Sequence, residues 1–428
     1  MKKALITTLT TLAISMAAQA QNIAITGGTI YTQTKQGVIE NGMLLLKDGK
    51  VEKVTDTIRV PDGYQTIDAT GKVVTPGLVG AMTSLGLVEV ESWAGVVDAS
   101  VDKTQLSNTG LAFDVSYAIN PDSTLLDVSR IEGVTSAATT ISYTDYLFHG
   151  QGSVITLQGD EPVLRPRAFA VLDLTGHAAE QTGGSRAALW GTLNQLFSEA
   201  AQASKIPGPA QQWHGLTTRA DLPALQNIIN GKMPLILEAD RKADILQILT
   251  FQQQYPDMRI VLMGAAEAWR VADKLAQNNV AVILNPEHNL PSSFEALGAT
   301  LENAGRLEKA GVTVAIGMET HNIRLATQHA GNAVANGLSH EAGIASITSA
   351  PASIFGMQDT IGALATGMRG DVVIWSGDPL EVTEYAEQVF INGEAIDMQS
   401  RQTLLRDRYK ALYKQSDKPT SHYIIPAQ

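Results

Sequence analysis

Three short stretches carry the side chains best suited to chemistry. Glu319 and His321 stand two apart, directly after the apolar run Val312–Ile316. A carboxylate with a raised pKa can take a proton from water, and an imidazole can donate to a developing negative charge, so both are candidate catalytic groups. Glu238 and Asp240 follow a second apolar run, Pro234–Leu237. Glu238 is a candidate substrate contact, and with Glu319 it could also lend oxygens to a hard ion, though such sites take about six or more oxygen ligands. Asp240 reads as the N-cap of a helix starting at Arg241. His149-Gly150-Gln151-Gly152 precedes the strand Ser153–Leu157. His149 and Gln151 are candidates for a substrate mouth, whereas the glycines alone would serve backbone geometry. His177, His214, His288, His329 and His340 lack the spacing of metal ligands.

These groups need a scaffold, and the chain alternates strand and helix through its middle. Apolar runs at Val73–Val79, Val134–Ile141, Ala168–Leu174, Pro234–Leu237, Ile260–Met263, Val280–Leu284 and Val312–Ile316 read as strands. Three- and four-residue apolar spacing predicts helices over Arg186–Gln202, Arg241–Gln254, Glu267–Asn278 and Phe294–Ala310. Such alternation implies a parallel sheet. A doubly wound sheet is the alternative, but no glycine-rich phosphate loop follows a strand. Residues 22–70 and 371–391 are instead rich in short strands, punctuated by Asp48-Gly49, Asp62-Gly63 and Asn392-Gly393.

The N-terminus reads as an export signal: Lys2 and Lys3, an apolar stretch Ala4–Met16, then Ala18-Gln19-Ala20 as a cleavage pattern. The expectation is a periplasmic protein without membrane attachment after cleavage, secretion further being open. With no cysteine in the chain, thiolate metal sites and disulfides are excluded. The net charge of −12 argues against nucleic acid as a partner.

Three motifs carry a resemblance. Val74-Thr75-Pro76-Gly77-Leu78-Val79 is similar to the entry into the first barrel strand of the amidohydrolase superfamily. Asn332-Ala333-Val334-Ala335-Asn336-Gly337-Leu338, followed by Ile347-Thr348 and Pro351-Ala352, is similar to a later stretch. Ile361-Gly362-Ala363-Leu364 through Gly370-Asp371-Val372-Val373-Ile374-Trp375 and Gly377-Asp378-Pro379 resembles the family's return into its small β-domain. The imidazolonepropionase-like, exported branch is the nearest in pattern.

The resemblance implies an α/β fold, a TIM-type (β/α)8 barrel with a small β-sandwich built from both chain ends. The domains would be a signal peptide at 1–20, the sandwich at 21–75 plus 358–398, the barrel at 76–357, and a C-terminal helix and tail at 399–428. It implies a hydrolase of C–N bonds other than peptide bonds in a small molecule. The family's first strand ends in His-x-His, and the matching positions here are Met82 and Ser84. Glu238 stands at the fifth-strand histidine, Gly264-Ala265-Ala266 where the next histidine belongs, and Glu319 at the eighth-strand aspartate. No lysine is placed as a bridging ligand. A thioether and a hydroxyl are poor ligands for zinc, so the family's zinc or other divalent metal is not supported and no cofactor is expected. The alternative is a catalytically inactive barrel that binds a small ligand or partners an active sister amidohydrolase; in either case the partners expected are a small molecule and a further copy of the chain or such a sister.

Overall fold

The computed structural model describes residues 22–89, 97–206, 208, 211–317 and 322–415 of the 428-residue chain. The first strands, β1 (Ile23–Tyr31), β2 (Val38–Lys47) and β3 (Lys50–Thr55), form an antiparallel meander. Next come β4 (Gln65–Asp68) and β5 (Val73–Pro76), which pair in parallel with the two ends of β1. Then β6 (Leu78–Thr83) turns into the second sheet, and β7 (Ser100–Val101), α1 (Thr124–Arg130), β8 (Val134–Thr139) and β9 (Tyr143–Thr144) follow.

After them run β10 (Phe148–Thr156), β11 (Val163–Asp173), α2 (Gly176–Gln181), α3 (Arg186–Ala201), α4 (Leu222–Ile229) and β12 (Leu235–Ala239). The alternation continues with α5 (Lys242–Gln252), β13 (Ile260–Gly264), α6 (Ala272–Gln277), β14 (Ala281–Leu284), α7 (Asn303–Lys309) and β15 (Val314–Ile316). Helices α8 (Ala326–Ala335), α9 (His340–Ser346) and α10 (Ser349–Ile354) lead to β16 (Val372–Trp375), β17 (Ala386–Ile391), β18 (Glu394–Ala395) and α11 (Arg401–Gln415).

The first sheet is assembled from both chain ends, in the order β18-β17-β16-β5-β1-β2-β3, with β4 beside β1. Ile25, Leu44, Val74, Ile374 and Phe390 pack into one buried cluster across it. Trp375 fastens the two ends: its indole N–H donates to Thr75 Oγ1 at 2.9 Å, deep in the interior. The turns Asp48-Gly49 and Asn392-Gly393 lie against each other. All four residues have positive φ, and Gly370 bridges them, donating to the Gly49 carbonyl and accepting from Gly393 N–H.

The second sheet has the order β15-β14-β13-β12-β11-β10-β8-β6 and is a nearly closed eight-stranded barrel. Its edges meet at Gly317, where a Cβ would stand 2.8 Å from Ala81 Cβ, so only glycine fits. Alternation divides its side chains into two layers. Leu172, Leu237, Leu262, Val282 and Ile316 face outward onto helix residues such as Leu189, Ile245 and Leu307. Val171, Ile236, Val261, Ile283 and Ala315 face inward and fill the barrel together with Met82, Phe169 and Phe355.

The structure corrects two expectations. The sheet is not wholly parallel, because β10 runs antiparallel to both β8 and β11. The links from Thr139 to Phe148 and from Thr156 to Val163 are too short for the crossover that parallel neighbours need, so the chain must reverse. The helix expected over Phe294–Ala310 forms only from Asn303. Gly298 explains this, since its N–H donates to Glu267 Oε1 at 2.9 Å and its carbonyl accepts from the Trp269 indole at 2.8 Å. Both backbone groups are thereby held away from a helical ladder.

Candidate functional site

The C-terminal ends of the parallel strands form the mouth of the barrel, which is where side chains of this fold do chemistry. Asp173 and Glu238 are register partners on β11 and β12. Each stands two residues beyond an inward-facing neighbour, Val171 or Ile236, so alternation aims both carboxylates into the mouth. Asp173 is buried, and its Oδ1 accepts the Thr175 N–H at 2.7 Å, fixing the carboxylate at the start of α2. Glu238 is half-buried. Asp173 is not among the residues that the sequence singles out, although it lies two residues past Val171 in the run Ala168–Leu174 and the same period-two argument reaches it.

The antiparallel β10 delivers His149 and Gln151 to the same end. Both are buried, and Thr140 Oγ1 donates to the His149 carbonyl at 3.1 Å. The Gln151 amide donates to the Leu111 carbonyl at 3.0 Å, and its backbone N–H to Phe113 O at 2.7 Å. That donor therefore anchors the 107–114 loop. The neighbouring glycines are required by space. Gly150 has φ +75° against Phe113, and a Cβ on Gly152 would stand 2.2 Å from the Phe169 ring. Glu319 and His321 lie outside the described residues; Gly317 closes the described part of that strand end.

A ring of ion pairs braces the loops around the mouth. Arg241 grips Asp244 with two bonds, at 2.9 and 2.8 Å, and Arg186 reaches Asp244 at 3.1 Å and also pairs with Glu295. Glu295 Oε2 accepts the Gly176 N–H at 3.0 Å. Burial acts to raise the Glu295 pKa, but the bonds from Arg186 and Gly176 outweigh it and hold the carboxyl below its usual range. Glu267 accepts from Lys242 N–H and Gly298 N–H, both at 2.9 Å, and pairs with Arg270 at 3.2 Å. Asp240 does not cap α5 as expected. Its Oδ1 accepts the Ala266 N–H at 3.0 Å across the β12–β13 gap, while Glu267 takes the capping role. Burial raises the Asp240 pKa against the opposing Ala266 bond.

On the far side of the mouth, Glu287 meets His329 at 2.9 Å and accepts from Asn332 at 2.8 Å, which ties the loop after β14 to α8.

The fold has clear counterparts. The amidohydrolase from Thermotoga maritima MSB8 superposes with a TM-score of 0.77 at 24% identity, over 88% of this chain and all of that one. Residues 212–396 match the amidohydrolase family model. The chain carries the amidohydrolase fold. Curated relatives match only locally. The amidohydrolase tasK of Hapsidospora irregularis is 42% identical over 14% of this chain, and the dihydroorotase of Geobacter metallireducens is 38% identical over the same share. Those stretches span only 6% and 13% of the relatives' own lengths.

Amidohydrolases of the resembled pattern would place a divalent metal at this mouth. The described residues do not fit one. Met82, at the first position of the matching His-x-His, is fully buried among apolar side chains, and Ser84 is buried beside it. Among the described residues, no three His, Asp or Glu side chains converge as a metal site. The arrangement offers a pair of carboxylates, a buried imidazole and a braced polar rim around a dry barrel interior.

Proposed function

We propose that this amidohydrolase-fold protein hydrolyses a C–N bond other than a peptide bond in a small molecule, using carboxylates at the mouth in place of the family's histidine-held metal. The observation that carries the reading is the register pairing of Asp173 with Glu238, which aims two carboxylates inward where the barrel's chemistry belongs. The likeness of residues 212–396 to the amidohydrolase family supports the reaction class.

In this reading Glu319 is the general base that draws a proton from water, and His321 or His149 donates to the carbonyl oxygen as it gains charge. Glu238 orients the leaving amine, and the resulting tetrahedral intermediate collapses with that nitrogen taking the proton. His149 and Gln151 shape one wall of the pocket. The protein acts in the periplasm after its leader is removed.

The test is a hydrolysis screen of purified protein against cyclic amides, ureas and N-acyl compounds. Glu319→Gln and Glu238→Gln should each cut kcat/KM by ~100-fold or more where a substrate is found. Turnover unchanged in both variants would refute the carboxylate mechanism.

A second reading has its own observation, the burial of Met82 in an apolar interior. There the barrel is catalytically inactive and binds a small ligand or supports an active sister amidohydrolase. Tight binding of a screened compound without any turnover would favour it.

A further inference from the structure

The C-terminal helix α11 is a fifteen-residue helix with almost no cover. Isolated helices of about this length are marginal in water, and most gain their stability by burying an apolar face. The apolar face of α11 is bare: Leu404, Leu405, Tyr409, Leu412 and Tyr413 are all exposed, Tyr409 by 64% and Leu412 by 51%. Leu405, Tyr409 and Leu412 follow the four- and three-residue spacing of one stripe, with Leu404 and Tyr413 alongside. Arg401 and Arg408, one heptad apart, flank that stripe on the same side.

Charge narrows the choice of partner. The helix holds Arg401, Arg406, Arg408, Lys410 and Lys414 against Asp407 alone, a net +4 in a chain of −12. Two copies of α11 would repel each other. An anionic lipid surface would attract the helix but repel the acidic body that carries it, within a Debye length of ~10 Å.

The complementary surface exists on the chain itself, in the segment joining β16 to β17. Between residues 378 and 387 it carries Asp378, Glu381, Glu384 and Glu387 and no basic residue. Val382 and Tyr385 stand out among these acids, exposed by 77% and 60%. Their conformation is held from below: Asp378 by His340 at 2.7 Å, Glu384 by Ser376 at 2.6 Å, and Glu387 by Lys72. Glu381 is free of any such side-chain bond among the described residues. Within one chain α11 rests on α1, and among the described residues no hydrogen bond or ion pair joins it to this segment.

We propose that α11 of one copy docks its stripe onto the 378–387 segment of a second copy, and that the contact is reciprocated about a twofold axis. Leu405, Tyr409 and Leu412 cover Val382 and Tyr385, while Arg401 and Arg408 face Glu381 and its acidic neighbours. Reciprocity doubles the contact and closes the assembly, as an isologous interface requires.

The experiment measures the mass of the full mature chain in solution by size-exclusion chromatography with light scattering, at tens of micromolar. A dimer is expected. Arg401→Glu with Arg408→Glu should raise its dissociation constant at least ~10-fold, and Glu381→Lys alone should weaken it in the same direction. Combining the three changes in one chain should restore the dimer, a rescue that a merely misfolded helix could not give. A monomer at these concentrations overturns the proposal, as does a dimer indifferent to both reversals. Binding of a monomeric chain to phosphatidylglycerol vesicles, lost in the double-arginine variant, would reassign the helix to a membrane surface and equally overturn it.

Discussion

Met82 decides how the barrel mouth is read, and its replacement gives the sharpest test. The side chain has no exposed surface and packs in the inner cluster with Val79, Ala81, Ile283 and Ala315. Met82→Ala deletes Cγ, Sδ and Cε. At about 0.8 kcal/mol per buried methylene equivalent, the lost transfer term is roughly 2 kcal/mol. Strands pinned by a hydrogen-bonded ladder collapse little, so a cavity term is added, for a total of ~3 kcal/mol within the usual range for such truncations. Met82→Leu conserves volume and should cost less than about 1.5 kcal/mol. Met82→His, which rebuilds one family ligand, puts polar nitrogens into an apolar cluster and should destabilise at least as much as Met82→Ala.

The assay is equilibrium urea unfolding followed by tryptophan fluorescence, comparing midpoints at constant slope. The buried placement of Met82 is refuted if Met82→Ala is within about 0.5 kcal/mol of the parent, the range of surface changes away from special features. It is refuted more informatively if Met82→His, alone or with Ser84→His, is tolerated and gains stability on adding zinc. Either result would mean that position 82 faces an open mouth that can take a ligand.

Two further perturbations probe the frame of the site. Gly152→Ala places a Cβ 2.2 Å from the Phe169 ring on the neighbouring strand, and should cost ~1–3 kcal/mol in the same unfolding assay; a neutral result would show that β10 can shift away from β11. Glu295→Gln tests the ion-pair ring by its pH dependence. The Glu295 carboxyl is held below its usual 4.5, so its stabilisation is complete above that value and is lost as pH falls through the lowered folded pKa. The variant should be less stable than the parent by about 1–2 kcal/mol at neutral pH, with the gap closing under acid conditions; a gap that persists at low pH would assign the loss to packing.

Much of the frame is legible in the amino-acid sequence. Asp48-Gly49 and Asn392-Gly393 announce hairpins because their φ angles demand these residue types, and each is found at its turn. That the two turns touch is not legible, since nothing local in either records a partner more than 300 residues away. The helices α3 and α5 follow from apolar spacing and lie within two residues of the expected ends. The antiparallel β10 is hidden for a different reason. Gly150 and Gly152 read as loop residues, whereas in the fold they are strand positions kept bare by Phe113 and Phe169. The helix expected over 294–302 does not form because Glu267 and Trp269, distant in sequence, claim its backbone groups. At the mouth, Glu238 is visible from its place after an apolar strand. Its neighbour Asp173 requires knowing that β11 and β12 are adjacent and in register.

Fold and site make different demands on the same strands. Residues that hold the fold include the Thr75–Val79 entry, the turns near Gly370, and the inner layer through Ile236, Ile283 and Ala315. A packed barrel depends on these middle positions, because each inward side chain fills space that several strands share. Residues one step beyond the packed layer carry no such burden. Glu238 is accommodated there without disturbing the layers beneath, whereas Met82 belongs to the packed inner cluster itself. Met82 suits the dry interior and Glu238 the wet rim, so both residues are compatible with a stable barrel. Compatibility with the fold, however, is not by itself a function. Among the described residues, the polar side chains that the fold brings to this mouth include Asp173, Glu238 and His149.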